Sequence, residues 1–281
     1  MRISTLAIVG VGLLGGSIAL AARRRGVVDH IVGTDRDPFA LDEALRDGTL
    51  DEVFLHPSRT VIEADLVVFC TPVDRIAAQV VETARHCRSN ALLTDVGSTK
   101  AAIVREVQGR IPNGVEFIGS HPLAGSEKHG FSHASAQLFD GRLVIVTPTA
   151  ETSDNALSRI RDFWMALGAR VQVMDADEHD RALALTSHLP HLLSSALAGI
   201  LPPELYELTA TGFRDTTRLA AGQPSLWSAI FRANQPHVLT ALDQLEAQLH
   251  HFRQALLQGD SAALETLLQQ GKMVRDDLSR R

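Results

Sequence analysis

Cysteine is nearly absent from this sequence: Cys70 and Cys87 are the two in 281 residues. Two thiols exclude a disulfide framework and a four-cysteine zinc site, and they fit a reducing compartment such as the cytoplasm. A basic excess is missing as well, with 27 lysines and arginines against 33 aspartates and glutamates, a formal charge of −6. The global electrostatic signature of a nucleic-acid binder is therefore absent. No uninterrupted apolar run is long enough to cross a membrane. The nearest to a leader or a span is the charge-free stretch Leu6–Ala22, which four glycines (Gly10, Gly12, Gly15 and Gly16) interrupt. Low-complexity tracts and internal repeats are lacking too. What remains, 21% charged and 45% hydrophobic residues, suits a globular chain long enough for two domains.

The glycines of the N-terminal stretch have a spacing with a physical purpose. Ile3–Val9 reads as a short buried strand, followed by Gly10-Val11-Gly12-Leu13-Leu14-Gly15 and an amphipathic helix to about Arg25. In G-x-G-x-x-G one glycine makes the tight turn, the next admits a pyrophosphate to the backbone, and the third lets helix and strand pack closely. The helix N-terminus then offers free N–H groups and the positive end of its dipole to the phosphates. A second strand, Ile31–Thr34, ends at Asp35, 20 residues after Gly15, where a carboxylate can bond a ribose 2′-OH. An acid there repels a 2′-phosphate and favours NAD over NADP, although Arg36 stands beside it and leaves NADP open. Together the strand, loop, helix and acid account for the stretch as a cofactor cradle rather than a leader peptide.

The βα rhythm continues. Strands are expected at 64–70, 91–95, 115–120, 143–147 and 170–174, with helices after Asp74, from Ser98 and across 155–167. Alternation of this kind predicts a Rossmann-type, doubly wound, mainly parallel α/β sheet. Ligands of such sheets sit beyond the C-terminal strand ends, so Thr71, Pro72 and the loop with Ser98 are candidates for cofactor and active-site contacts. After residue 175 the strand pattern stops. A long helix is expected over 178–201, bent at Pro190 and ended by Pro202 and Pro203. Another is expected over 236–258, where Val238, Leu242, Leu245, Leu249, Phe252 and Leu256 form a heptad seam. That seam serves either a dimer interface or packing within the chain, and the dimer is the favoured reading. The division expected is a dinucleotide-binding domain over 1–175 and an all-α substrate and dimerisation domain over 176–281.

Polar side chains concentrate in three places. The loop Gly119–Gly130 holds Ser120, His121, Ser126, Glu127, Lys128 and His129. His121, at a strand end, is suited to accept a proton near neutral pH or else to hold the loop by hydrogen bonds. His129 and His133 lack a third ligand, so no metal is expected. Ser187, His188, Pro190 and His191 cluster in the second half, followed by Gly212-Phe213-Arg214-Asp215-Thr216-Thr217-Arg218 and Trp227. Arginines in a glycine-led turn suit carboxylate recognition, though a solvated turn would look the same.

Taken together, these segments resemble the prephenate dehydrogenase family along nearly the whole chain. The resemblance rests on Gly10–Gly15, Asp95-Val96-Gly97-Ser98-Thr99-Lys100, the His121–Lys128 loop, His188-Leu189-Pro190-His191, and Asp215 to Arg218 with Trp227 nine residues on. It implies NAD-dependent oxidative decarboxylation of prephenate to 4-hydroxyphenylpyruvate and CO₂, a step of tyrosine synthesis, by a cytoplasmic homodimer. It also implies His121 as the base, Ser98 as a bridge from His121 to substrate or nicotinamide, and Arg218 on a substrate carboxylate. His191 would meet the other end of the substrate, and Glu127 and Asp215 would gate the arginine. Arogenate, or both compounds, is the alternative substrate. Some members carry a mutase or regulatory domain, for which no residues of this sequence are left over. A β-hydroxyacid or imine reductase would place a lysine on the long helix, and no lysine occurs between 128 and 272.

Overall fold

The computed structural model describes residues 3–125 and 130–280. Its centre is an eight-stranded sheet in the order β3-β2-β1-β4-β5-β6-β7-β8. The strands are β1 (Ile3–Val9), β2 (Val28–Thr34), β3 (Glu52–Val53), β4 (Leu66–Phe69), β5 (Leu92–Asp95), β6 (Glu116–Pro122), β7 (Leu143–Thr147) and β8 (Arg170–Val173). All neighbouring pairs run parallel except β6 with β7. The sheet order turns back at β1, with β2 on one side and β4 on the other. Here two loops diverge at the C-terminal strand ends and leave the crevice in which such sheets bind ligands.

Helices α1 (Leu13–Arg24), α4 (Val73–Ala84), α5 (Ala101–Val107) and α6 (Asp154–Ala166) follow strands, as the βα rhythm requires. On α4 the buried positions Val73, Ile76, Ala77, Val80, Val81 and Ala84 recur at helical spacing, one stripe facing the sheet. Core packing covers both faces of the sheet. One cluster joins Ile8, Ile18, Phe139 and Trp164, and the other joins Val67, Phe69, Ile76 and Leu93. Three short elements have weak signals in the sequence: α2 (Pro38–Arg46), the two-residue β3 and α3 (Pro57–Thr60). The antiparallel β7 is likewise indistinguishable from a parallel strand by composition alone.

Among the described residues no strand follows β8. The expected long helix is three pieces: α7 (Ala176–Leu183), a π-helical turn at Ala184–His188, and α8 (Leu189–Gly199). Pro190 accounts for the break. It has no N–H for the carbonyl of Thr186, so the turn before it widens and the ladder resumes with longer spacing. Next come α9 (Thr211–Thr217), a 3₁₀ turn at Arg218–Ala221 and α10 (Pro224–Ala233). By compactness the chain divides into Met1–Gln235 and Pro236–Arg281. The first unit extends past β8 because α10 packs on the sheet domain, with Ile230 in the same apolar cluster as Val73 and Ile76. The second unit holds α11 (Gln235–Gln258) and α12 (Ser261–Ser279). Gly259, at φ +64°, makes the turn between them, and the Asp260 carboxylate caps α12 by accepting from Ala263 N at 2.9 Å.

Candidate active site

The glycine loop is built for close approach. Gly10 sits at φ +101°, and a Cβ there would come within 2.8 Å of the Cys70 carbonyl oxygen at the end of β4. A Cβ on Gly15 would lie 1.9 Å from the Gly10 carbonyl oxygen, so only glycine lets α1 start this near the strand. Gly12 differs: a Cβ there would face open space, and α1 has no side chain capping its N-terminus. The free N–H groups of Leu13 and Leu14 therefore meet an uncrowded surface, which is what a pyrophosphate needs. Asp35 accepts from Val11 N at 2.6 Å through Oδ2 and from Asp37 N at 2.9 Å through Oδ1. Each oxygen keeps a second lone pair, so the carboxylate ties the loop to β2 and can still accept from a ribose hydroxyl. Arg36 is exposed. Thr71 Oγ1 bonds Gln79 Oε1 at 2.5 Å, and Pro72 stands at the start of α4. These residues fit NAD.

Sheet register brings the catalytic side of the cleft to the same edge. Thr34, Val9, Phe69 and Asp95 lie in one row across β2, β1, β4 and β5. Thr94 pairs with Ile118, so His121 projects two positions beyond that row, on the edge where the glycine loop opens. Its neighbour Ser120 is pinned from every side. Ser120 N donates to Asp95 Oδ1 at 3.1 Å, its carbonyl accepts from Lys100 Nζ at 2.9 Å, and Trp164 Nε1 donates to its hydroxyl at 3.0 Å. Lys100 and Asp95 form a fully buried ion pair, and Gly97 N also donates to Asp95 at 2.8 Å. Burial pushes the Asp95 carboxyl up and the Lys100 ammonium down, and their mutual attraction opposes both shifts. Ser98, half-buried, lies on the bend between these two buried anchors.

His121 is 8% exposed, and its Nδ1 lies 2.8 Å from Nε2 of His179 on α7. His179 Nδ1 lies 2.7 Å from Asp180 Oδ1. Burial, first, and the neighbouring His179, Lys100 and His188 hold the His121 imidazole well below its usual range, which keeps it neutral. Neither His179 nor Asp180 stood out in the sequence; a His-Asp pair on a helix carries no signal until the fold sets it against a strand end. The Cys70 thiol is raised by burial and by the Asp95 and Asp35 charges, so it is no nucleophile.

A second group forms around the π turn. Asn234 Nδ2 donates to the Asp180 carbonyl at 2.7 Å and reaches His188 Nδ1 at 3.0 Å. Burial lowers His188 to about 4. His188 meets Trp227 edge-on, and His191 stacks flat on the same indole with centroids 3.6 Å apart. A Cβ on Gly222 would come within 2.8 Å of His191 and 2.6 Å of Trp227, so the turn carrying Arg218 closes tightly over this stack. Ser194, three residues after His191, accepts from Ala220 N at 3.2 Å and donates to the Thr216 carbonyl at 3.0 Å, clamping that turn on both sides of Arg218. Arg218 and Asp215 are exposed, and no hydrogen bond joins them to each other among the described residues. Glu127, with Ser126, Lys128 and His129, lies outside the described residues. No cluster with metal-ligand geometry occurs among the described residues, and no helix there is long and apolar enough to cross a membrane.

Two family models match. Residues 18–173 match "Prephenate dehydrogenase, nucleotide-binding domain", and residues 175–270 match "Prephenate dehydrogenase, dimerization domain". The cyclohexadienyl dehydrogenase of Zymomonas mobilis is 35% identical over 266 residues, covering 91% of this chain and 89% of that protein. The prephenate dehydrogenase of Bacillus subtilis is 31% identical over 281 residues, covering 98% of this chain and 76% of that one. A crystal structure of prephenate dehydrogenase from A. aeolicus, in complex with hydroxyphenyl propionate and NAD+, superposes with a TM-score of 0.91. That structure is 30% identical, and the match covers 99% of both chains.

Proposed function

Because this chain belongs to the prephenate dehydrogenase family, we propose that it catalyses NAD-dependent oxidative decarboxylation of prephenate to 4-hydroxyphenylpyruvate and CO₂, as a cytoplasmic homodimer. The observation that carries this reading is the neutral, buried His121 standing at the sheet edge where the uncapped helix α1 opens.

NAD, when bound, supplies the acceptor for the electron pair leaving the ring carbon that bears the hydroxyl. The chain's own residues handle the proton and the substrate's charges. His121, unprotonated, takes the hydroxyl proton as the carbon is oxidised; departure of the ring carboxylate as CO₂ then leaves an aromatic ring. Ser98 bridges His121 to substrate or nicotinamide. Arg218 grips a substrate carboxylate, since guanidinium matches a carboxylate's two oxygens. His191, stacked on Trp227, meets the side-chain or ring end, and the family resemblance assigns Asp215 and Glu127 the gating of the arginine. Gly10, Gly12, Leu13, Leu14 and Gly15 hold the pyrophosphate, Asp35 and Arg36 the adenosine ribose, and Thr71 and Pro72 the neighbouring wall of the crevice. The functional division is placed near residue 175, between dinucleotide-binding and substrate-binding segments. The dimer forms through the C-terminal helices, where Leu256, Leu257, Leu268, Met273, Val274 and Leu278 are exposed in the protomer.

The test is NADH formation followed spectrophotometrically with prephenate and with arogenate, each with NAD and with NADP. Turnover with prephenate and NAD is expected. Turnover with arogenate alone would transfer the reading to the amino substrate, and turnover with neither would overturn it.

A further inference from the structure

We infer that His179 and Asp180 are positioning residues that fix the tautomer of His121 through a directed chain of hydrogen bonds. The inference rests on the reading of His121 as the base, and it extends that site by two residues which touch neither substrate nor cofactor.

The direction of the chain starts at Asp180. Its Oδ1 accepts from Lys100 N at 2.7 Å and its Oδ2 from Ala101 N at 2.9 Å. A carboxylate so held against backbone N–H groups is an acceptor, and His179 Nδ1, 2.7 Å away, must be the donor. A neutral imidazole protonated at Nδ1 carries its lone pair at Nε2. His179 Nε2 therefore accepts, and the hydrogen across the 2.8 Å contact belongs to His121 Nδ1. The lone pair of His121 is left at Nε2, the ring nitrogen that His179 does not engage. With His179 and Asp180 0% and 1% exposed by side chain, water does not supply a competing partner that would reverse the order.

The chain also gives the accepted proton somewhere to go. When His121 Nε2–H forms as the substrate O–H breaks, the Nδ1–H of His121 can pass to His179 Nε2. One proton enters and one leaves each step, His121 returns to neutral, and the positive charge comes to rest on His179 beside the Asp180 carboxylate. Charge is thereby moved onto the imidazole that faces the Asp180 carboxylate. Because Asp180 also binds the first N–H groups of α5, it holds the segment that follows Ser98 in register with His121.

Two measurements test this. The first is ¹⁵N NMR of the His-labelled wild-type protein, with His121 assigned from the spectrum of His121→Asn. Its ring is expected to be protonated at Nδ1 with an unprotonated Nε2, and the opposite tautomer would overturn the proposal. The second compares His179→Phe, which keeps the ring volume but no acceptor, with His179→Gln, which keeps an oxygen for the His121 Nδ1–H. The Phe variant is expected to lose roughly 10²-fold in kcat, on the scale of general-base contributions, with KM and NAD Kd changed less than threefold. The Gln variant is expected to retain at least about tenfold more activity than Phe. Equal losses in both variants tracking a common fall in Tm would mean a merely structural role, and wild-type kcat in the Phe variant would also sink it. Should the wild type turn over neither prephenate nor arogenate, the assignment of the reaction fails, while the tautomer still decides the relay.

Discussion

His121 shows how much a single residue depends on its surroundings. In the sequence it is one of 12 histidines, distinguished by its place at a strand end among polar neighbours. Taken alone, such a residue would titrate near 6.5. The site moves it: burial and the facing His179, Lys100 and His188 lower it well below that value. A base works unprotonated, and a lowered pKa keeps the neutral form populated below pH 6.5. The acid limb of kcat/KM is therefore expected below pH 6.5 rather than at it, and a midpoint at or above 6.5 in a pH–rate profile would contradict this placement. His121→Asn is expected to cut turnover by roughly 10²–10⁴ while leaving the NAD Kd, read by fluorescence titration, nearly unchanged. The residue that acts on it, His179, was not legible in sequence. A contact spanning 58 positions leaves no local pattern.

At the scale of elements, the segments that position the site are strand ends and their anchors. Asp95 closes β5 and Lys100 precedes α5, and their buried pair reaches across to the Ser120 carbonyl on β6. In this way two strands and a helix are locked at the point where Ser98 and His121 emerge. Removing one partner leaves the other charge buried and uncompensated, so Lys100→Met is expected to cost roughly 3–5 kcal/mol in equilibrium urea unfolding. Asp95→Asn combined with Lys100→Met should recover part of that loss, because no lone charge then remains. The elements themselves were largely visible: β1, β7 and α6 fall within a residue or two of the sequence expectation, because their apolar periods are strong. Proline at 190 announced a break but not its form. A π turn depends on where α8 must dock, which local sequence does not encode.

For the whole molecule, the dimer is the largest feature that patterning alone left undecided. The seam from Val238 to Leu256 repeats like a coiled coil, and the same repeat would serve packing within one chain. In the structure the seam divides. Val238 is 5% exposed, whereas Leu249 and Leu256 are 54% and 66% exposed, and α12 adds Leu268 and Met273 on the surface. Apolar side chains left on a protomer's surface in such number mark a surface that a partner covers, in line with the matched dimerization domain. Leu256→Glu together with Leu268→Glu is expected to give a monomer by sedimentation velocity with unchanged far-UV circular dichroism. An intact dimer would place the interface elsewhere on these helices.

The sequence by itself determined the class of fold and the cofactor chemistry. Both rest on local regularities: the period of two or 3.6, the glycine spacing, and an acid 20 residues on. It also marked the loop and turn from which the reaction is proposed to be run. Only the tertiary structure decided which groups surround His121, that the imidazole stays neutral, and that His179 and Asp180 of α7 stand behind it on β6. The reason is physical. Periodicity and turn chemistry act over a few residues, whereas a pKa and a hydrogen-bond direction are set by whatever the fold brings within about 3 Å.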